Sequence, residues 1–198
     1  IYGKNTSDSL SEEDNRVLGS PLKSRWSYSE AKAIDEILAY TYWREKGLET
    51  VIIRLFNTVG PRQTGSYGMV IPRFVGQALR NEPITIFGDG NQTRCFCHVG
   101  DIVEGLVALS EHPEAFGKVF NLGGGKEVAI RELAERVIKL AGSQSSLEFI
   151  PYDAAYEAGF EDMERRVPNT TRAMQLVGFE PSASLDDIIQ SVIDDQLA

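Results

Sequence analysis

One stretch of this chain leaves little choice about what can form around it. From Ser27 to about Lys46 the residues Ala31, Ile34, Ile37, Leu38 and Tyr42 recur at three- and four-residue steps, and Gly47 stands where a helix would end. Just beyond, Thr50 to Phe56 reads TVIIRLF, a short run rich in β-branched residues. Such a run suits a buried parallel strand. Helix followed by buried strand is half of a βαβ unit, so a parallel sheet with a helix against it is expected.

After Pro61 the rhythm changes. The spacing predicts a helix from about Val70 to Leu79, with Pro72 tolerated in its first turn, then a strand at Ile84–Phe87 and a turn at Gly88-Asp89-Gly90. Cys95 to Val99 reads as extended, and Asp101 is expected to cap a helix from Ile102 to about Ser110. A strand at Val119–Leu122, a helix at Ile130–Leu140 and a strand at Leu147–Ile150 follow, with helices near Thr170–Leu176 and Leu185–Asp195. Short mixed elements of this kind predict a small α/β lobe, not a second doubly wound sheet. Residues 1–24 are polar and turn-rich, broken by Gly3, Gly19 and Pro21.

Composition narrows the function. The net charge of -9 and scattered basic residues argue against nucleic acid, which needs a basic stripe. An acidic protein can still hold a small anion where a few arginines converge. No apolar run approaches the ~18 residues a membrane helix requires, and nothing near Ile1 reads as a signal peptide. Cys95 and Cys97 share a face of an extended stretch and do not bridge easily, so they read as reduced thiols in a cytoplasmic protein. With only His98 and His112 and no ligand-like spacing, no metal is expected.

Tyr28 and Lys32 sit at i and i+4, which places a phenol and an ammonium on one helix face. A nearby positive charge favours the phenolate, so such a pair can act as a general base near neutral pH. The spacing alone is weak evidence, because Tyr42 and Lys46 repeat it. Tyr42 continues the apolar stripe and Lys46 suits the helix C-terminus, so that second pair reads as structural. Gly123-Gly124-Gly125 lies between a strand and a helix but lacks a third spaced glycine. Glu127 after Lys126 rules out a P-loop, and a tight turn is the better reading. His98 reads as a satisfied core residue, and Arg54 as a structural ion-pair partner.

Several segments, in order along nearly the whole chain, carry a family likeness. Lys23-Ser-Arg-Trp-Ser-Tyr28-Ser-Glu-Ala-Lys32 resembles the catalytic helix of extended short-chain dehydrogenases/reductases. Arg54-Leu-Phe-Asn57-Thr-Val-Gly60-Pro61-Arg62 is similar to the strand-end signature of their nucleotide-sugar members. The segment from Gly88 through Arg94, Phe96 and His98 to Asp101 matches their substrate-domain motif, and Phe120-Asn121-Leu-Gly123 and Arg166-Val-Pro168 also fit. The likeness is to NAD-dependent nucleotide-sugar epimerases and dehydratases, of the UDP-glucose 4-epimerase or UDP-glucuronate decarboxylase kind.

The resemblance implies an α/β chain in two parts. Residues 1–62 would be the C-terminal remnant of a Rossmann-type NAD-binding domain, and residues 63–198 mainly a substrate-binding lobe, with some segments returning to the first part. It also implies roles. Tyr28 would take a proton from a sugar hydroxyl, Lys32 would hold the nicotinamide ribose, and Phe56 would lie beside the nicotinamide. Asn57, Val70, Ile86 (through its backbone), Phe87, Arg94 and Arg166 would bind a UDP-sugar, the two arginines at its diphosphate. A homodimer through the Tyr/Lys helix is implied too.

The cofactor's glycine loop would lie upstream of the Tyr/Lys helix, and the 27 residues before Tyr28 cannot hold it. The expectation is therefore a chain truncated at its N-terminus that binds NAD weakly or not at all and turns over nothing alone. The parent activity expected first is 4-epimerisation of a UDP-hexose, and second, decarboxylation of UDP-glucuronate. From another class, a non-catalytic nucleotide-binding or dimerisation module is the rival.

Overall fold

The computed structural model describes residues 1–65, 69–152 and 165–198. Helix α1, Arg25–Lys46, ends as its spacing predicts. Gly47 adopts a φ of 67°, and its N–H reaches Trp43 O while Leu48 N–H reaches Tyr42 O. Which face turns inward is another matter. Trp26, Ser29 and Ala33 are buried, whereas the stripe of Ile34, Ile37, Leu38 and Tyr42 points outward. The periodicity is genuinely helical, but the face with more apolar residues is the exposed one.

Strand β1, Ile52–Leu55, is followed by the short β2, Thr58–Val59, and by α2, Val70–Leu79. Then come β3 (Ile84–Phe87), β4 (Thr93–Cys95), β5 (Cys97–His98) and α3 (Val99–Ser110). A 3-10 turn at Pro113–Ala115 leads to β6 (Val119–Leu122), β7 (Glu127–Ala129), α4 (Ile130–Leu140) and β8 (Leu147–Ile150). Helices α5 (Thr171–Val177) and α6 (Leu185–Leu197) complete the described elements.

Pairing is mostly parallel. β1 lies along β6 with Ile52 opposite Val119 and Arg54 opposite Asn121. β2 pairs with β5, and β3 with β8, also in parallel; β4 and β7 are antiparallel. Helix α3 forms part of the crossover between β1 and β6 and packs with them, so residues far beyond 62 complete the first parallel pair.

Among the described residues two large apolar cores result, beside a small cluster of Tyr2, Leu10 and Phe56. In one, α2, β3, α4 and α6 enclose Ile71, Phe74, Ile84, Ile86, Leu133 and Ile189, all fully buried. In the other, α3, β6 and α5 enclose Ile102, Leu109, Phe120, Leu122 and Ala173. Each large apolar side chain so buried contributes about 1.5–3 kcal/mol. Among the described residues no helix is long and apolar enough to cross a membrane.

One expectation needs correcting. α3 starts at Val99, and its cap is His98, whose side chain accepts the Gly100 N–H through Nδ1 at 3.1 Å. Asp101 instead reaches out of the first turn to the N–H groups of Ser182 and Ala183 and the Ser182 hydroxyl, fastening the approach to α6. An imidazole nitrogen can serve as a cap acceptor as a carboxylate does, which the residue preferences at helix starts understate.

Candidate active site

Tyr28 and Lys32 face an open groove of about 400 Å³, bordered by Asp35, Glu36 and Ala39 of α1 and by Val51 to Leu55 along β1. One helical turn separates the two, which puts Lys32 Nζ 5.8 Å from the centroid of the Tyr28 ring. Lys32 already has a partner. Its Nζ donates to Asp35 Oδ2 at 2.9 Å, and that hydrogen bond raises the lysine pKa above its ordinary value. A ribose hydroxyl arriving here would compete with Asp35 for the ammonium. Neither Tyr42 nor Lys46 borders this groove.

A second cavity, of about 120 Å³, adjoins the first around the carboxyl end of β1. Tyr2, Arg54, Phe56, Asn57, Arg165 and Arg166 border it, and Arg54 and Leu55 belong to both linings. Ligands of parallel α/β sheets collect at this end of the strands. Phe56 is buried beside Leu10, its ring centroid 6.0 Å from that of Tyr2. Asn57 donates through Nδ2 to Cys95 O at 2.8 Å, and its own carbonyl accepts Cys97 N–H. Its side chain thus holds the end of β4 while also bordering the cavity. Of the adjacent arginines, Arg165 is anchored by Glu127 at 2.6 and 2.8 Å, and Arg166 is half-buried.

The remaining expected residues stand further off. Arg94, half-buried on β4, donates to Thr93 O at 2.7 Å and borders neither cavity, although Asn57 holds its neighbour Cys95. Val70 opens α2, Ile86 and Phe87 close β3, and all three also border neither. Ile86 is fully buried, so only its backbone can meet a ligand. Phe87 carries the Arg73 guanidinium 4.5 Å from its ring centroid, a cation–π contact that Phe87 alone does not announce.

A polar hub at the second cavity is built around Arg54, which is the structural ion-pair partner its sequence context suggested. Arg54 grips both carboxylate oxygens of Glu36 at 2.8 Å and donates to the Tyr2 hydroxyl at 2.9 Å and Glu12 O at 3.1 Å. Burial acts to lower the Arg54 pKa, but the hydrogen bonds to Glu36 and Tyr2 outweigh it and raise the value. Tyr2 donates to Asn121 Oδ1 at 2.6 Å, and the Asn121 amide donates to Leu10 O and Asn169 O. The signal was there: Arg54 and Asn121 are polar residues inside apolar strands, a placement tolerated only with full hydrogen bonding.

Two of the three consecutive glycines have a packing reason. A Cβ on Gly123 would stand 2.6 Å from Phe56 Cβ, and one on Gly124 2.0 Å from the Phe96 carbonyl oxygen. Phe56 and the β4–β5 backbone leave no room for a side chain at either position.

The fold agrees with known proteins. Residues 1–123 match the model of the NAD dependent epimerase/dehydratase family, and the chain belongs to that family. It is 37% identical over 194 residues to UDP-N-acetyl-alpha-D-glucosaminuronate decarboxylase of Bacillus cytotoxicus, which covers 98% of this chain and 60% of that protein. It is 39% identical over 176 residues to UDP-glucuronic acid decarboxylase 1 of Arabidopsis thaliana, covering 89% of this chain and 39% of the relative. Among solved structures, UDP-glucuronic acid 4-epimerase from Bacillus cereus, in complex with UDP-glucuronic acid and NAD, superposes with a TM-score of 0.84 at 28% identity. That superposition covers all of this chain and 59% of the epimerase. The chain thus spans about 60% of the length of the bacterial relatives it matches. Its parallel pairs β1–β6, β2–β5 and β3–β8 belong to a Rossmann-type α/β architecture, and the family is NAD-dependent.

Proposed function

We propose that this chain is the base-carrying and sugar-nucleotide-binding part of an NAD-dependent enzyme that oxidises a UDP-sugar at C4. The observation that carries this reading is the placement of Tyr28 and Lys32 on an open groove that adjoins the cavity of Phe56, Asn57 and Arg166. Tyr28 accepts the proton of the sugar 4-hydroxyl. Lys32, released from Asp35, holds the ribose hydroxyls and favours the phenolate. When bound, NAD supplies an acceptor for the C4 hydride. Asn57 orients the sugar, Phe56 keeps water from the ring edge, and Arg166 and Arg94 neutralise the diphosphate. Val70, Phe87 and the Ile86 backbone border the base.

Two finer activities share that oxidation. The named substrates of both decarboxylase relatives and of the 4-epimerase structure are UDP-sugars bearing a carboxylate, which favours a UDP-uronic acid here over an uncharged UDP-hexose. With a 4-keto group made, the C5 carboxylate becomes that of a β-keto acid. It leaves as CO2 and C5 takes up a proton; reduction of the 4-keto group, which the bound cofactor would supply, then gives the product. We favour this decarboxylase reading because the two decarboxylase relatives described above are each more than 35% identical to this chain. The 4-epimerase reading, supported by the 28% identical structure, needs the keto-sugar to turn before hydride returns.

The test is incubation of UDP-glucuronate and NAD with the enzyme that carries this stretch, followed by mass analysis. Loss of CO2 supports decarboxylation, and a product of unchanged mass supports epimerisation. Tyr28→Phe is expected to lower turnover about 10²–10⁴-fold, the range of general acid–base catalysis. Undiminished turnover in Tyr28→Phe would remove Tyr28 from the mechanism.

A further inference from the structure

The helix that carries Tyr28 and Lys32 needs something to fix its tilt. Its outward stripe contributes nothing to docking, and Trp26, Ser29 and Ala33 bury only its first half. Near its far end, Trp43 packs against Gly117, where a Cβ would come within 2.2 Å of the indole. Between these ends, Glu36 meets Arg54 in a bidentate pair at 2.8 Å for both contacts, with side chains 20% and 13% exposed. This tie runs directly onto β1.

Arg54 is itself immobilised. Four of its five N–H groups are engaged, by Glu36, the Tyr2 hydroxyl and the Glu12 carbonyl. Its guanidinium carbon lies 4.8 Å from the centroid of the Tyr2 ring, and Tyr2 is anchored in turn on the fully buried Asn121. With most of its donors committed, the guanidinium is poorly placed to serve a ligand even though it borders both cavities.

The lever is short and stiff. Glu36 lies four residues past Lys32 and eight past Tyr28. At ~1.5 Å per residue, that puts Tyr28 about 12 Å along the axis. A tilt of about 10° at Glu36 would then move Tyr28 by about 2 Å, and misplacement by about 1 Å can cost 10²-fold in rate.

We propose that Glu36 and Arg54 are positioning residues, whose pairing fixes the tilt of α1 over β1 and so sets where Tyr28 and Lys32 stand relative to Phe56 and Asn57. This rests on the functional reading above, since it takes Tyr28 to be the base. Arg54 acts through Glu36, and Phe56 and Asn57 follow it on the same segment, so one residue references both halves of the site.

The first test needs no activity. In the 198-residue protein, hydrogen exchange of the amides at 28–36 is compared among wild type, Glu36→Gln and Arg54→Lys, the last keeping the charge but losing the fork. The expected result is about tenfold faster exchange in α1 for Glu36→Gln and a smaller rise for Arg54→Lys. Amides of α2 and α4 should stay within about twofold. Unchanged α1 exchange, or an equal rise in all three helices, overturns the proposal, since the pair then docks nothing or only supports the whole fold.

The second test is kinetic, in the NAD-loaded enzyme carrying this stretch. Glu36→Gln should lower kcat about 10–100-fold with KM for the UDP-sugar within about threefold, and Arg54→Lys should lower it less. A loosened α1 with normal kcat also overturns the proposal. Tyr28→Phe run alongside separates the two ideas. If it retains full turnover, the base assignment fails, while the exchange data still judge the tie.

Discussion

Cys95 and Cys97 show how burial can dominate a residue's chemistry. Both are 1% exposed, and desolvation pushes their thiols up, to about 11 for Cys95 and about 12 for Cys97, with Glu127 and Asp101 adding to the respective shifts. A thiol whose folded pKa is raised stays protonated where the unfolded thiol, near 9, has already ionised. The folded state then binds more protons than the unfolded one, so stability falls as pH rises. Its contribution is complete below about pH 9 and lost progressively through pH 11–12. Denaturant midpoints between pH 8 and pH 11 should decline in wild type and less steeply in Cys95→Ala/Cys97→Ala. Equal slopes would mean the thiols are solvated. The residue scale is also where the sequence was most ambiguous. Asn121 and Arg54 look out of place in apolar strands until Tyr2, Glu12 and Leu10 are brought to them across 40 to 120 positions, and no local pattern encodes such partners.

Elements were far more legible, because each is set by its own periodicity and punctuation. The helix at 70–79 and the strands at 84–87, 119–122 and 147–150 fall where alternation and turn residues put them. The two-residue β2 and the three-residue β7 escaped, since two or three residues carry no period to detect. The glycine segment before β7, expected as a tight turn, is a bend at Gly123 followed by irregular backbone, and what demands Gly123 and Gly124 is tertiary. Gly124 has no room for a Cβ beside the Phe96 carbonyl, whereas Gly125 has open space. Gly124→Ala is therefore expected to destabilise by about 1–3 kcal/mol, the usual cost of overpacking a tight contact. Gly125→Ala should be close to neutral, and the two midpoints measured side by side check the argument. If Gly124→Ala were neutral, the approach of the β4–β5 backbone to this turn would have to be looser than 2.0 Å implies.

At the scale of the molecule, two apolar surfaces remain uncovered. The outward face of α1 presents Ile34, Ile37, Leu38 and Tyr42, each more than half exposed. Among the described residues β1 pairs only with β6, so its other edge offers free backbone groups beside the half-exposed Leu55. The two surfaces predict different assemblies. A helix face can meet its own copy about a two-fold axis and is then satisfied, giving a closed dimer. An open strand edge has no such closure of its own and leads to larger, ill-defined species. The helix face is the larger and more aromatic, so the expectation for the 198-residue protein is a dimer of about twice 21.9 kDa. Ile37→Lys/Leu38→Lys should reduce it to a monomer without loss of helix content, because neither side chain contributes to a core. Light scattering on a sizing column, with circular dichroism on the same fractions, reads both quantities. Should that variant stay associated while Leu55→Lys dissolves the assembly, the strand edge is the sticky surface. The α1 face would then be free, and the dimer expected from the Tyr/Lys helix would be withdrawn.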